Sequence, residues 1–430
     1  MKKNLYILTF VIILTGCQSP KQSSNIVTTD IANFWEAYDQ ITATKDAILQ
    51  YKYLDSLYFK KGTDGLNAIR RARNYTAQEY IASINKYPEF WNSVKANTLK
   101  ANQYSTELEK GILKLKEMYP DLRPAKIYFT VGALRSNGTT LDNSVLIGSE
   151  LALANKETPS HEFPKNLSHL RSFFDSEPSK HIVFLNIHEY LHTQQKETIG
   201  NTLLSQTVME GVGEFLAEIA LAQKSPNPQI AFGFQHEESI KQAFEKEMFS
   251  PYVYNWIMNT TNNQFGMRDL GYFVGYAICK QYYAQFSDKK LAIKKMIELD
   301  YNNENELIKF VEKSGYFTKP LHVFKESFEK SRPKVTRIEH IPSNTDVLTI
   351  HFSHKMDTRF RNFILGPLGK KSVIRLKEFQ GFSEDGKSVR FGIEKLKPAK
   401  KYQLVVGAGF KNTKGIPLSP YLIELETIEK

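Results

Sequence analysis

The sequence predicts an α+β protein: a mainly helical lobe with a small β-hairpin or sheet, followed by an all-β module. Three observations carry that expectation. Apolar and aromatic residues recur at helical spacing from Asp30 to Leu115 and again from about Leu167 into the 320s. Between these stretches, after Pro124, come two short runs rich in β-branched residues, Lys126 to Val131 and Val145 to Gly148. After Arg332-Pro333 the pattern changes to short apolar runs separated by turn residues. At 430 residues with 41% hydrophobic content, the chain is long enough for two or three domains with a substantial core.

In chain order, Lys2 and Lys3 precede an apolar run from Leu5 to Ile13, too short for a stable membrane span. It ends in Leu14-Thr15-Gly16-Cys17, which resembles the lipobox of bacterial lipoproteins. The resemblance implies cleavage before Cys17, lipid on its sulfur, a membrane partner through that lipid, and a place at the cell envelope, on the outer membrane or periplasmic face. Residues 1–17 are thus expected to be a signal peptide and residues 18–29 a polar tether.

Residues 30–120 read as a helical N-terminal region. Asp30 is the expected cap of a helix presenting Ile31, Phe34, Trp35 and Tyr38 on one face, and Thr76-Ala77-Gln78-Glu79 reads as a capping box. Within residues 121–332, Ser136-Asn137-Gly138 is the expected turn between the two strand runs. Helices follow, with breaks near residues 225–232 and 259–268. In residues 333–430, Val335 to Ile338, Val347 to Phe352, Ser388 to Ile393 and Tyr402 to Val406 are expected strands.

The formal charge is +11, with Lys and Arg spread along the chain, so no compact basic cluster argues for nucleic acid. Of the two cysteines, Cys279 sits in the apolar run Tyr276-Ala277-Ile278-Cys279 and reads as a buried core thiol.

The chemistry is concentrated in Ile182-Val183-Phe184-Leu185-Asn186-Ile187-His188-Glu189-Tyr190-Leu191-His192. Residues four apart on a helix share a face, so His188 and His192 can offer ring nitrogens to one Zn²⁺. Glu189, about 100° round the helix, can flank that ion as a base for water. The alternative is a pair of satisfied histidines on a packed helix. A third ligand is available from Val208-Met209-Glu210-Gly211-Val212-Gly213-Glu214-Phe215-Leu216-Ala217-Glu218, where three acids stack at four-residue intervals on an apolar stretch. Such stacking is costly unless a cation or donors face it. Glu210 is the expected ligand, Glu214 the acceptor for the far N–H of a metal-binding histidine, and Glu218 is left between that array and solvent.

This pattern resembles the gluzincins, in which H-E-x-x-H is followed by a glutamate ligand on a later helix. Met209-Glu210-Gly211 is similar to the segment around the third ligand of gluzincin aminopeptidases. A nearer resemblance is to a bacterial family of predicted zinc-dependent proteases that includes lipoproteins related to gliding-motility proteins. Its E-G-x-x-E helix and later G-Y-x-x-G-Y helix match Glu210 to Glu214 and Gly271-Tyr272-Phe273-Val274-Gly275-Tyr276. The resemblance covers roughly residues 120–300. It implies a thermolysin-like lobe, a zinc cofactor, a peptide or protein substrate and catalysis by Glu189. An edge strand, Lys126 to Val131 or Asn143 to Gly148, would pair with extended substrate; a plain structural hairpin is the alternative. Tyr276, ahead of Tyr272 on the resemblance, is a candidate for stabilising a developing oxyanion, against a packed aromatic stripe. The chain lacks the Gly-x-Met-x-Asn stretch of the aminopeptidases, which favours endopeptidase action. A non-catalytic envelope lipoprotein in assembly or surface interaction is the competing reading.

Leu348-Thr349-Ile350-His351-Phe352-Ser353-His354-Lys355-Met356-Asp357 resembles the opening of bacterial Ig-like domains, which implies an Ig-like sandwich over residues 333–430.

Overall fold

The computed structural model describes residues 25–198, 202–341 and 346–428. The leader, Cys17 and most of the tether lie outside the described residues. The class is α+β. One buried apolar cluster runs without a break from Ile26 to Phe328, and a second is confined to residues 348–423.

The N-terminal helices pack around aromatic rings. The helix Thr29–Thr42 buries Ile31, Phe34, Trp35 and Tyr38 as its spacing requires, and Trp35 Nε1 donates to Thr98 Oγ1 at 2.9 Å. Asp30 does not cap it. It lies inside the first turn, buried, and accepts the Thr63 N–H at 2.9 Å, so it ties this helix to the cap of a later one. The Thr76–Glu79 capping box forms in both directions.

The first sheet differs from the expected hairpin. Strand β1 (Ile26–Val27) pairs in parallel with β2 (Lys126–Thr130), which pairs in parallel with β4 (Ser144–Gly148). The hairpin joins β4 to an unexpected strand, β3 (Gly138–Leu141), through Asp142 and Asn143, with Asp142 in the left-handed region at φ +52°. The order β1-β2-β4-β3 puts β2 and β4 inside the sheet and β3 at its edge. The edge strand is therefore neither of the two expected. The connection from β2 to β3 is pinned from below. Tyr58 and Tyr80 hydroxyls both donate to Val131 O, and the buried Glu150 carboxylate accepts from the Gly132 and Leu134 N–H groups. Burial nevertheless pushes the Glu150 carboxyl up to about 7.

Three helices build the middle of the lobe: Ile182–His192, Leu203–Leu221 and Leu270–Ala284. The first follows a tight turn begun by Pro178. The second is capped by Thr202, and its free N–H groups at Leu203 and Leu204 donate to Ser250 O and Met248 O at 2.7 and 2.8 Å. The second and third cross at bare backbone. A Cβ on Gly211 would stand 2.0 Å from Gly275 C, and one on Gly275 would stand 1.9 Å from Thr207 O. Glycine at both positions is what permits this approach.

After Arg332, two sheets face the second core. One has the order β5-β6-β9-β8 and comprises β5 (Val335–Ile341), β6 (Val347–Phe352), β8 (Leu376–Phe382) and β9 (Ser388–Ile393). The other, β11-β10-β7, comprises β7 (Phe363–Ile364), β10 (Lys401–Val406) and β11 (Tyr421–Glu426). The Arg332 guanidinium donates to Leu418 O and Pro417 O, and the Lys411 ammonium sits 2.8 Å above the Tyr252 ring, so the module is tied to the lobe at two places. Among the described residues no helix is long and apolar enough to cross a membrane.

The glycine crossing yields a direct expectation. Gly275→Ala must push backbone from backbone, and overpacking of this kind costs about 1–3 kcal/mol. Urea unfolding should show that loss. Gly138→Ala, whose Cβ would meet only Leu146 O at 3.7 Å, should change stability little.

Candidate metal centre

His188 and His192 project from one face of the helix Ile182–His192, and Glu210 projects toward them from Leu203–Leu221. The three side chains converge. His188 Nε2 lies 3.0 Å from His192 Nε2, and Glu210 Oε2 lies 3.3 Å from both nitrogens. Four ligands in a tetrahedron around Zn²⁺, with bonds of ~2.05 Å, have edges of about 3.3 Å. The three atoms therefore already form one face of such a tetrahedron. His188 and Glu210 are 5% and 8% exposed, which places their charges in a poorly solvated interior.

Each imidazole is oriented from behind. His188 Nδ1 lies 3.1 Å from Glu214 Oε2, within ion-pair range but off the line of a well-directed hydrogen bond. Glu214 is fully buried and also accepts from both Asn227 Nδ2, at 2.9 and 3.0 Å, and Ser225 Oγ. His192 Nδ1 meets Gln195 Oε1 at 2.6 Å. Gln195 Nε2 donates to Met209 O and to the Tyr301 hydroxyl, so its carbonyl end must face the histidine. That puts a proton on His192 Nδ1, while Nε2 is turned toward Glu210.

Two carboxylates compete for the third corner, beside the two histidines. Glu189 lies close enough to His188 and His192 for the three to hold an ion, their ligand atoms falling within 4.8 Å of one another. Its Oε2, however, accepts the Thr140 hydroxyl at 2.6 Å, which draws it toward β3. Glu210 has both imidazole nitrogens at 3.3 Å and is the better placed of the two to join them; Glu189 stands beside the group.

The electrostatics follow from this crowding. Burial alone would depress the His188 imidazole, but Glu210 and Glu214 outweigh it and hold it at about 10. Burial likewise disfavours charged His192, and Glu210 raises it above its ordinary value. Burial would raise the Glu210 carboxyl, yet His192 and His188 bring it well below the usual carboxylate range. A positive charge shared among these groups is what makes the buried carboxylates tolerable.

The tyrosines separate. Tyr272 stacks on His188, with centroids 6.1 Å apart and planes 25° apart. Burial and the nearby Glu210 push its hydroxyl well up. Tyr276 points away from the metal-facing group: its hydroxyl donates to Glu218 Oε1 at 2.8 Å, and its ring packs on Phe215 and Phe234. Glu218 also accepts the Ser225 N–H, so it belongs to the support of the loop after the helix. Sequence reasoning missed Gln195, Asn227 and Thr140. Gln195 had a usable signal, lying three residues after His192 and just past the end of the helix. Asn227 and Thr140 reach the site only through tertiary packing.

No protein-family model matches the chain, and no curated protein does. Among solved structures, the S-layer protein rSbsC aligns at 14% identity with a TM-score of 0.19. Domains 1–6 of the surface layer protein SbsC align at 13% with a TM-score of 0.20. Each alignment covers 94% of this chain and 45% of the other, so the chain spans under half their length. Superpositions this poor bear on neither fold nor function.

Proposed function

We propose that the chain is a zinc-dependent peptidase of gluzincin type that hydrolyses peptide bonds at the bacterial envelope. The observation that carries this reading is the convergence of His188 Nε2, His192 Nε2 and Glu210 Oε2 within 3.0–3.3 Å of one another between two packed helices. The donor set, two imidazoles and a carboxylate, suits zinc, and three protein ligands leave one position open. Zinc bound there supplies a Lewis acid that acidifies water and polarises a carbonyl.

The protein's own groups have distinct tasks. Glu189 takes a proton from the attacking water and returns it to the leaving amine. Thr140 holds Glu189 beside the two histidines, and Gln195 and Glu214 keep the imidazoles in register. Tyr272, rather than Tyr276, is the hydroxyl near enough to meet a developing oxyanion. Strand β3 offers its outer edge to an extended peptide directly beside Glu189. Nothing in the sequence supplies a clamp for a free amino terminus, which favours endopeptidase action. The lipobox-like segment ending at Cys17 supports a lipid-held place on the envelope, and the two sheets after Arg332 are read as an Ig-like sandwich that positions the lobe.

Metal content and peptide turnover, measured together, test this. Wild type should carry one zinc per chain and cleave an unstructured protein such as casein. His188→Ala should lose both properties. Glu189→Gln should keep the metal and lose activity by about 10²–10⁴-fold, the range for a missing general base. Undiminished turnover by a metal-loaded Glu189→Gln protein would exclude this mechanism. Metal without turnover in the wild type would favour a non-catalytic lipoprotein.

Support from behind should be measurable separately. Gln195→Leu should weaken zinc affinity by about 10–100-fold, as loss of such outer contacts does, without loss of folded protein. Competition with a chromogenic chelator reads the change.

A further inference from the structure

The basic charge is less evenly spread than a first reading suggests. Residues 333–430 carry 18 of the 57 Lys and Arg but only 10 of the 46 Asp and Glu, so +8 of the formal +11 lies in the C-terminal module. Part of that charge borders an unusual loop, Arg361-Asn362-Phe363-Ile364-Leu365-Gly366-Pro367-Leu368-Gly369-Lys370-Lys371.

The loop presents apolar side chains outward. Ile364, Leu365 and Leu368 are 53%, 45% and 49% exposed. Leu368 stands in a turn closed by Gly369 N–H donating to Gly366 O at 2.9 Å, a place where polar residues are the rule. The turn is held rigidly. Leu368 N–H donates to Gln403 Oε1 at 2.9 Å, Gly366 packs against the Gln403 side chain, and Ile364 is in register with Val405 of β10. The exposed leucines are therefore fixed on the sheet. Around them stand Arg361, Lys370, Lys371 and Lys400. None has an acidic side chain within ion-pair distance among the described residues, and Lys400 Nζ donates to Lys371 O at 2.7 Å. Arg359, two residues before the loop, is already neutralised by Asp357 at 2.6 Å.

We propose that this loop docks the C-terminal module onto an anionic phospholipid surface, with Leu365 and Leu368 entering the headgroup region and Arg361, Lys370, Lys371 and Lys400 meeting lipid phosphates. An exposed apolar loop bordered by cations that have no acidic partner suits the boundary between headgroups and acyl chains, although Arg361 and Lys400 also rest on the Phe379 and Tyr402 rings. The lipobox at Cys17 gives the chain a reason to lie beside a bilayer, and a second contact would set the orientation of a protein otherwise held by a polar tether. The inference stands independently of the zinc reading.

The test uses the chain from Gln18 onward, which contains every described residue and lacks the lipid. Co-sedimentation should show binding to phosphatidylglycerol vesicles at least about tenfold tighter than to phosphatidylcholine vesicles, weakening with salt. Leu365→Ser with Leu368→Ser, and separately Lys370→Glu with Lys371→Glu, should each lower binding about tenfold or more. Lys86→Glu with Lys110→Glu, exposed positions on the lobe, should not. Emission of a Leu368→Trp variant should shift to the blue on adding phosphatidylglycerol vesicles. Equal binding to both lipids would overturn the proposal. So would an unshifted Leu368→Trp spectrum, or polyglutamate binding as tight as vesicle binding and indifferent to the leucine substitutions, which would identify an acidic protein partner instead.

Discussion

Buried negative charge is the constraint around which the lobe is arranged. Glu210 and Glu214 sit one turn apart on an apolar helix, 8% and 0% exposed. Ionised carboxylates in such surroundings are strongly disfavoured unless a cation and hydrogen-bond donors face them. Asn227 and Ser225 donate to Glu214, and the edge of His188 lies within ion-pair range of it. Glu210 faces the two imidazoles, whose inner nitrogens also face each other at 3.0 Å. Two ring nitrogens facing each other at that distance need a proton or a metal ion between them. A proton can serve, as the raised His188 and His192 values express. A divalent ion satisfies all three groups at once.

Packing delivers these groups to one point. The absence of side chains at Gly211 and Gly275 lets two helices touch through their backbones. That contact brings Tyr272 over His188 while turning Tyr276, four residues later, toward Glu218. Gly213 is likewise constrained, since a Cβ there would stand 3.0 Å from the His188 ring. On the other side β3 lies against the histidine helix and lends Thr140 to Glu189. The glycines thus act as spacing elements for the site, and their substitution should be felt in stability before chemistry.

Much of the site was legible because it is local. His188, Glu189 and His192 share one helix, and Glu210 and Glu214 share the next, so periodicity alone groups them. The ranking of the tyrosines was not legible, since it depends on where two helices cross. The same division holds for the fold. Strands β6 and β9 coincide with their apolar runs because one face of each is buried. Strand β8 was missed: Leu376–Phe382 is largely exposed on both faces, and its ladder is broken by bulges near Gly381, which has φ +101°. Strand β3 was missed because Gly-Thr-Thr-Leu is short and half-buried throughout, with a pattern no different from a loop. The parallel pairing of β2 with β4 follows from inserting that strand, and the edge moves with it. Asp30 shows a further limit: a good capping residue was recruited instead by the cap of another helix, through Thr63.

X-ray absorption at the zinc edge of the purified, metal-loaded protein bears most directly on the shared-cation account. The arrangement of His188, His192 and Glu210 predicts two imidazole nitrogens plus oxygen ligands at about 2.0–2.2 Å, with one imidazole lost in His192→Ala. A spectrum with no imidazole scattering, or one unchanged by His192→Ala, would contradict it.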